Sequence, residues 1–405
     1  MKTVERHNLL PFCLITSLFL LWGLANNMTD TLLAAFKHIM QMSDTQTSLI
    51  QFAFYGSYFC FALPAAIFIK RHSYKSGVIL GLFLYATGAI LFLPAANTAS
   101  YLFYLVAIYI MAGGCSVLET TANPYILSMG APETATRRLN IAQAFNPLGS
   151  ITGILLSHYF ILTELSLNSV SGTYFVLGCV LLAILVVMLF ARMPEGRDNS
   201  NGDSIRATFR RLRADRNYLF GVIAQFFYVG AQIGVWSFTI RIAMQELSIS
   251  EADGSSIYLY TIIGFCASRF VYTWLMKYVH PGKLLAAGAL MSAICTLSVV
   301  LLAGTGWLMV TALGLISIFM SLMFPTIYGL ALESVTNGSH TEDAKLGASG
   351  LIMAILGGAV ITPLQGMVSD ACGIYTSYLV PLVCFIVVLG YALFYIRRNR
   401  YPNGK

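Results

Sequence analysis

The sequence predicts an all-α polytopic membrane protein: twelve transmembrane helices arranged as two six-helix bundles. Three observations lead there. Hydrophobic residues make up 57% of the 405-residue chain and charged residues only 10%, too little charge to cover a soluble surface of this size. Apolar blocks of roughly 20 residues recur along the chain, the length that crosses a hydrocarbon core as a helix. The basic residues fall on alternate connections, which fixes one side of a membrane. A closed β-barrel is the other way to span a bilayer, but its short alternating strands are not seen in the sequence.

The elements follow in order. The first span, near 9–36, comes after the polar "MKTVERHN". Its apolar run is longer than a signal-peptide core and no small-residue cleavage site follows it, so it is expected to be retained. Further spans lie near 46–69, 76–95, 101–128, 139–163 and 171–191. A polar, basic, glycine-containing stretch, "ARMPEGRDNSNGDSIRATFRRLRADRN", then divides the chain. Six more spans lie near 217–246, 254–277, 283–303, 306–334, 346–369 and 375–396. The expected organisation is an N-terminal six-helix bundle over 1–191, a basic linker over 192–216 and a C-terminal six-helix bundle over 217–405.

Of the 24 Lys and Arg, 21 lie at the termini, on the even-numbered connections or in the linker, and one, Lys37, on an odd-numbered connection. Arg241 and Arg269 fall within spans. The positive-inside rule therefore puts both termini in the cytoplasm, which requires an even number of spans. The same rule reads the net charge of +7 as topology signals and lipid-headgroup contacts, with no nucleic-acid partner. The eight cysteines form no CxxC pair and no metal-like spacing, and seven lie in apolar blocks where a thiol behaves as a small hydrophobe. No metal site and no cofactor are expected.

Against this apolar background the polar residues stand out. An intramembrane charge costs about 2.5–3.5 kcal/mol on insertion scales and usually marks a substrate pathway or a proton relay. Among the 17 acidic residues, the two most clearly inside spans are Asp30 in "LANNMTDTLLAAF" and Glu119 in "CSVLETTANPYIL". Asn27 stands three residues before Asp30, and Asn123 four residues after Glu119, so each pair shares a helix face. Gln143 and Asn146 repeat the pattern ahead of Pro147, and span seven carries a stripe of Gln225, Tyr228, Gln232 and Trp236. Single amides also serve as glue between helices. Pro124 and Pro147 fit either a cavity edge or a simple kink.

Amides and a phenol offer paired donors and acceptors to hydroxyl groups, and aromatic faces suit apolar C–H patches, as a neutral sugar would require. A lipophilic cation would also suit acids and aromatics, so the residues leave both open. A low dielectric favours a carboxyl's neutral form, which is the physical basis for coupling transport to protons. Arg71 and Lys75, after span two, and Arg269, in span eight, are candidates for state-dependent pairing with acids or helix ends. Arg71 and Lys75 fit topology anchors better than such pairing, and Arg269 is more deeply placed.

Several blocks, among them "LLWGLANNMTDTLL", "LPAAIFIKRHSYKSGVILGLFLYATGA", "CSVLETTANPYIL", "RRLNIAQAFNPLGS" and "AQFFYVGAQIGVWSFTIR", closely resemble the bacterial L-fucose:proton symporters of the major facilitator superfamily. The resemblance runs across nearly the whole chain. It implies the major facilitator fold, with two halves rocking about a central site, and proton-coupled sugar import through the bacterial inner membrane without a cofactor. It places the protonation pair on Asp30 and Glu119 and sugar contacts on Asn27, Gln143 and Asn146. It also makes the Gln225, Tyr228, Gln232 and Trp236 face a contact surface in the second half. The chain departs from the family in span ten, where "FPTIY" has Phe324 in place of a tyrosine. Tyr328, one turn on, is the nearby hydroxyl. The implied substrate is L-fucose or a closely related monosaccharide. Glucose or galactose transport and drug:proton antiport are the alternatives, an enzyme is not expected, and a monomer is the expected state.

Overall fold

The computed structural model describes residues 8–39, 44–98, 100–157, 166–193, 204–336 and 343–400, together with Val4 and Phe160. All the regular structure among the described residues is helical. The first half holds α1 (Leu9–Ile39), α2 (Asp44–Arg71), α3 (Tyr74–Ile90), α4 (Phe92–Thr98), α5 (Tyr101–Ser128), α6 (Ala135–Gln143), α7 (Asn146–Ser157) and α8 (Leu167–Phe190). The linker carries α9 (Ile205–Ala214). The second half holds α10 (Arg216–Leu247), α11 (Glu251–Leu275), α12 (Pro281–Leu301), α13 (Trp307–Met320), α14 (Met323–Thr336), α15 (Asp343–Met353), α16 (Gly357–Cys372) and α17 (Leu379–Arg400). Nine of the described stretches are long and apolar enough to cross a membrane by length and composition, and Leu9–Leu24 is a shorter apolar run of the same kind.

The helix limits follow from local chemistry. Ser73, Ser100 and Ser166 sit in extended backbone and accept from the N–H groups of Ser76, Phe103 and Ser169, satisfying donors that the first turn leaves open. Asp215 and Ser250 do the same for α10 and α11. Gly373, with φ of 90°, ends α16 in a conformation that a side chain rarely adopts. Large apolar side chains such as Val186, Phe190, Ile263 and Leu301 lie exposed along the spans, as expected of surfaces that face lipid.

Four spans are broken rather than continuous. Span three divides between α3 and α4, span five between α6 and α7, span ten between α13 and α14, and span eleven between α15 and α16. Pro147 and Pro325 stand just after two of these breaks. A proline lacks the N–H that would bond the carbonyl four residues earlier, so it frees Gln143 O in span five and Ser321 O in span ten.

Contacts divide the chain into two compact units. One gathers Met1–Ala135, Phe145–Arg211 and Val335–Met353, and the other Thr136–Ala144, Leu212–Ser334 and Ala354–Lys405. In the first unit α3 and α5 pack closely through Gly81, Gly88 and Gly114, and a Cβ on Gly114 would stand 2.7 Å from Gly81 O. α1 and α7 approach through Gly23, Gly149 and Gly153 in the same way. The first unit also holds α15, whose Asp343 takes a two-pronged ion pair from Arg211 of α9. In the second unit α10 meets α16 along Gly230, Gly234, Gly357 and Gly358, and α6 is held by Asn140, whose amide donates to Thr326 Oγ1 at 3.3 Å.

Candidate functional site

In the first unit the polar residues gather on α1, α5 and α7. Glu119 stands in the middle of the apolar α5. Its Oε2 is buried with no hydrogen-bond partner, and no cation pairs with it among the described residues. Asn123 follows one turn later, fully buried, and Pro124 sits beside it inside an unbroken helix. Tyr58 of α2 lies within electrostatic range of Glu119, and its hydroxyl accepts from Trp22 Nε1 at 3.2 Å. Both aromatic residues are buried. Sequence reasoning passed over this pair, because Trp22 and Tyr58 read as ordinary core within apolar runs.

On α1, the Asn27 amide donates to Gly23 O at 3.2 Å. A Cβ on Gly23 would meet Asn146 O, and the Asn146 amide donates to Phe19 O at 3.3 Å. The fold thus brings Asn146 against the helix that carries Asn27, and a glycine makes the approach possible. Asp30 lies on α1, but its side chain falls outside the described residues.

The remaining predicted residues of the first unit sit at helix ends. Lys75, on α3, donates to Leu189 O at 2.7 Å and Ala191 O at 2.9 Å, closing the carbonyl end of α8. Arg71 is exposed at the end of α2. Its neighbour Lys70 donates to Thr208 Oγ1 at 2.7 Å, and Thr208 donates to Asp343 Oδ1 at 2.8 Å. This chain of contacts from α2 through α9 to α15 had no sequence signal, since its contacting members are 138 and 135 residues apart.

In the second unit, the span-seven stripe lies on α10 and turns toward span ten. Tyr228 Oη donates to Met320 O at 3.2 Å, and Trp236 Nε1 donates to Ser317 Oγ at 3.2 Å. The Tyr228 ring lies 6.5 Å from that of Phe324. Gln225 is fully buried with neither amide atom bonded, while Gln232 is half-buried. Tyr328 is buried on α14. Arg269 on α11 is 3% exposed. Its guanidinium donates to Ser321 O at 2.7 Å and to Gln143 O at 3.0 Å and lies 4.7 Å from the centre of the Phe265 ring. Its partners are therefore helix-break carbonyls and an aromatic face. Glu333, half-buried at the end of span ten, accepts from Tyr395 Oη. Among the described residues no group of three or more His, Cys, Asp or Glu gathers to hold a metal ion.

Among the described residues the first unit offers amides and a buried, unbonded carboxyl oxygen in an apolar span, and the second unit offers amides, hydroxyls and aromatic faces. Comparison with known proteins points the same way. The Major Facilitator Superfamily model matches residues 13–342. The L-fucose-proton symporter of Haemophilus influenzae is 41% identical, covering 96% of this chain and 97% of its own. A glucose/galactose transporter of Brucella abortus is 34% identical, covering 94% of this chain and 92% of its own. The crystal structure of the transporter FucP in the outward conformation superposes with a TM-score of 0.87 at 36% identity, covering 96% of this chain and 99% of that one. The chain belongs to the major facilitator superfamily and, within it, to the family of the L-fucose-proton symporters.

Proposed function

We propose that this protein is a proton-coupled symporter that imports L-fucose or a closely related monosaccharide by alternating access. The observation that carries the proposal is Glu119. It is a carboxyl in the middle of an apolar span, with a buried oxygen that has no partner and with no cation beside it among the described residues. A permanently charged carboxylate there costs several kcal/mol, whereas a carboxyl that takes up and releases a proton is tolerated in turn. Protonation from the periplasmic side neutralises Glu119, with Asp30 coupled to it. Sugar then binds, the halves rock as they do in this fold, and sugar and proton leave to the cytoplasm. The proton gradient drives the cycle without a cofactor.

The proposed sugar contacts are Asn27, Asn123 and Asn146, together with Gln143, Gln225, Tyr228, Gln232, Trp236 and Tyr328. A neutral polyol is matched by amides that both donate and accept, with few cations beside them. Unbonded Gln225 is the clearest open amide among these residues. The names of the relatives that match nearly the whole chain support fucose. The proposed setting is the bacterial inner membrane, with N- and C-termini in the cytoplasm and the basic loops on that side.

A second reading, glucose or galactose transport, is favoured by the glucose/galactose relative and by Phe324 in place of a hydroxyl-bearing side chain. One experiment separates the two. Uptake into proteoliposomes under an inward proton gradient is measured with L-fucose, L-galactose, D-arabinose, glucose and galactose in competition. Competition by L-fucose and its stereochemical relatives is expected. Competition by glucose and galactose alone assigns the second reading, and no gradient-driven uptake of any of them refutes sugar symport.

A further inference from the structure

We infer that Arg269 is a positioning residue that clamps the proline-made breaks of spans five and ten, and that sugar affinity depends on it through Gln143. The inference rests on the reading of Gln143 as a sugar contact. It begins with two carbonyls. Pro147 has no N–H to give Gln143 O, and Pro325 has none to give Ser321 O, because each stands four residues downstream. A carbonyl left bare away from water is costly, and within a membrane such groups are satisfied by neighbouring helices.

Arg269 satisfies both. Its Nη1 donates to Gln143 O at 3.0 Å and its Nε to Ser321 O at 2.7 Å. In this conformation one rigid guanidinium therefore sets the distance between two helix-break carbonyls that lie far apart in sequence. The surroundings support the same two points. Tyr228 Oη takes Met320 O, and Thr326 Oγ1 takes Leu322 O at 2.6 Å, so three successive carbonyls of the span-ten break are each held by a side chain. Asn140, one turn before Gln143, is tied to Thr326. Ser268 also donates to Ser321 Oγ at 2.9 Å.

The chemistry of the side chain fits this task. An arginine at a purely electrostatic post would be expected beside an acid, yet among the described residues no carboxylate pairs with Arg269. Its charge rests on two carbonyls and the Phe265 ring, 4.7 Å away. The planar fork matters more than the charge, because two carbonyls must be reached at fixed separation. A lysine in its place has the charge and a single donor point. It can hold one break or the other.

The test is a double-mutant cycle between Arg269→Lys and Gln143→Ala, read as the sugar KM for counterflow in proteoliposomes, which needs no proton gradient. Thermal unfolding of each purified variant is followed in parallel. The expected result has three parts. Gln143→Ala raises KM by about tenfold, the loss of one charged or well-placed hydrogen bond. Arg269→Lys raises it by a similar factor while the maximal rate stays within about twofold. The double variant is no worse than the worse single variant, because both changes remove the same interaction. Independent multiplication of the two effects, or an unchanged KM in Arg269→Lys, overturns the clamp while leaving the sugar site standing. An unchanged KM in Gln143→Ala refutes the sugar contact and the clamp with it. Pro147→Ala supplies a second arm. It returns an N–H to Gln143 O, and in that background the clamp requires Arg269→Lys to change KM by much less than tenfold. A full tenfold change there overturns it.

Discussion

Asp343→Asn is expected to loosen α15 from the first unit by a measurable and bounded amount. Asp343 is 4% exposed at its side chain and receives Arg211 Nε at 2.6 Å. It also accepts from Arg211 Nη2 at 2.7 Å and from Thr208 Oγ1 at 2.8 Å. Hydrogen bonds to a charged group contribute about 1.5–3 kcal/mol each, and stranding a buried charge costs about 3–5 kcal/mol. Arg211 is 31% exposed, so water recovers part of that loss and the figure must be discounted. An asparagine keeps one acceptor and turns its NH2 toward a donor, which removes one bond and the charge. The net effect is about 2 kcal/mol, or roughly a 30-fold rise in the local opening constant. Arg211→Lys keeps the charge but loses the fork, and about 1 kcal/mol is expected. Amide hydrogen exchange across Asp343–Met353 reads both variants directly. Exchange in Asp343→Asn within twofold of the parent would refute the reasoning, because α15 would then be held by packing alone.

Two further outcomes follow from packing and from pH. Gly153→Ala puts a Cβ 2.6 Å from Leu24 O, against 3.4 Å for ordinary contact, so α1 and α7 must separate by several tenths of an ångström. A cost of about 1–3 kcal/mol is expected from overpacking, seen as a lower Tm, and an unchanged Tm would mean that the helices are not so close. His280 lies in the loop before α12. Burial, and then the charge of Lys283, hold its pKa below the ordinary 6.5. Its neutral Nδ1 accepts from Gly282 N–H at 3.1 Å. The unfolded chain therefore takes up the proton first, so this contribution is complete above pH 6.5 and is lost as pH falls below it. The Tm of His280→Gln is expected to decline less between pH 7 and pH 5 than that of the parent. Identical declines would remove His280 from the account.

The parts of this molecule that the sequence discloses are those governed by local rules. Span length, the polarity of connections and the partition of lysine and arginine depend on neighbours in the chain. They located the membrane helices to within a few residues. Glu119 and Asn123 are legible for the same reason, as helical spacing within α5 puts both on one face, whereas the shared face expected for Gln143 and Asn146 does not form, because the helix breaks between α6 and α7. What stayed hidden depends on residues far apart. Pro147 reads as either a cavity edge or a kink, and Pro325 draws no reading of its own, until Arg269 is seen on both freed carbonyls. Lys70, Thr208, Arg211 and Asp343 read as scattered polar residues of loops and linker. The α9 helix was likewise concealed inside a stretch whose composition suggests only a polar, basic connection. Tyr228 and Trp236 formed a clear stripe, but their bonds to Met320 O and Ser317 Oγ show that part of a polar stripe serves a neighbouring helix. Gln225 and Gln232 make no such bond among the described residues.

The measurement closest to the central claim is made on Glu119→Gln. Cells or proteoliposomes containing the parent protein are expected to alkalinise a weakly buffered medium when sugar is added, and to accumulate sugar against its gradient. The variant is expected to lose both while still exchanging labelled for unlabelled sugar in counterflow, because binding and rocking need no titrating group once the charge is gone. Accumulation against a gradient in Glu119→Gln, with sugar-dependent alkalinisation intact, would contradict the account.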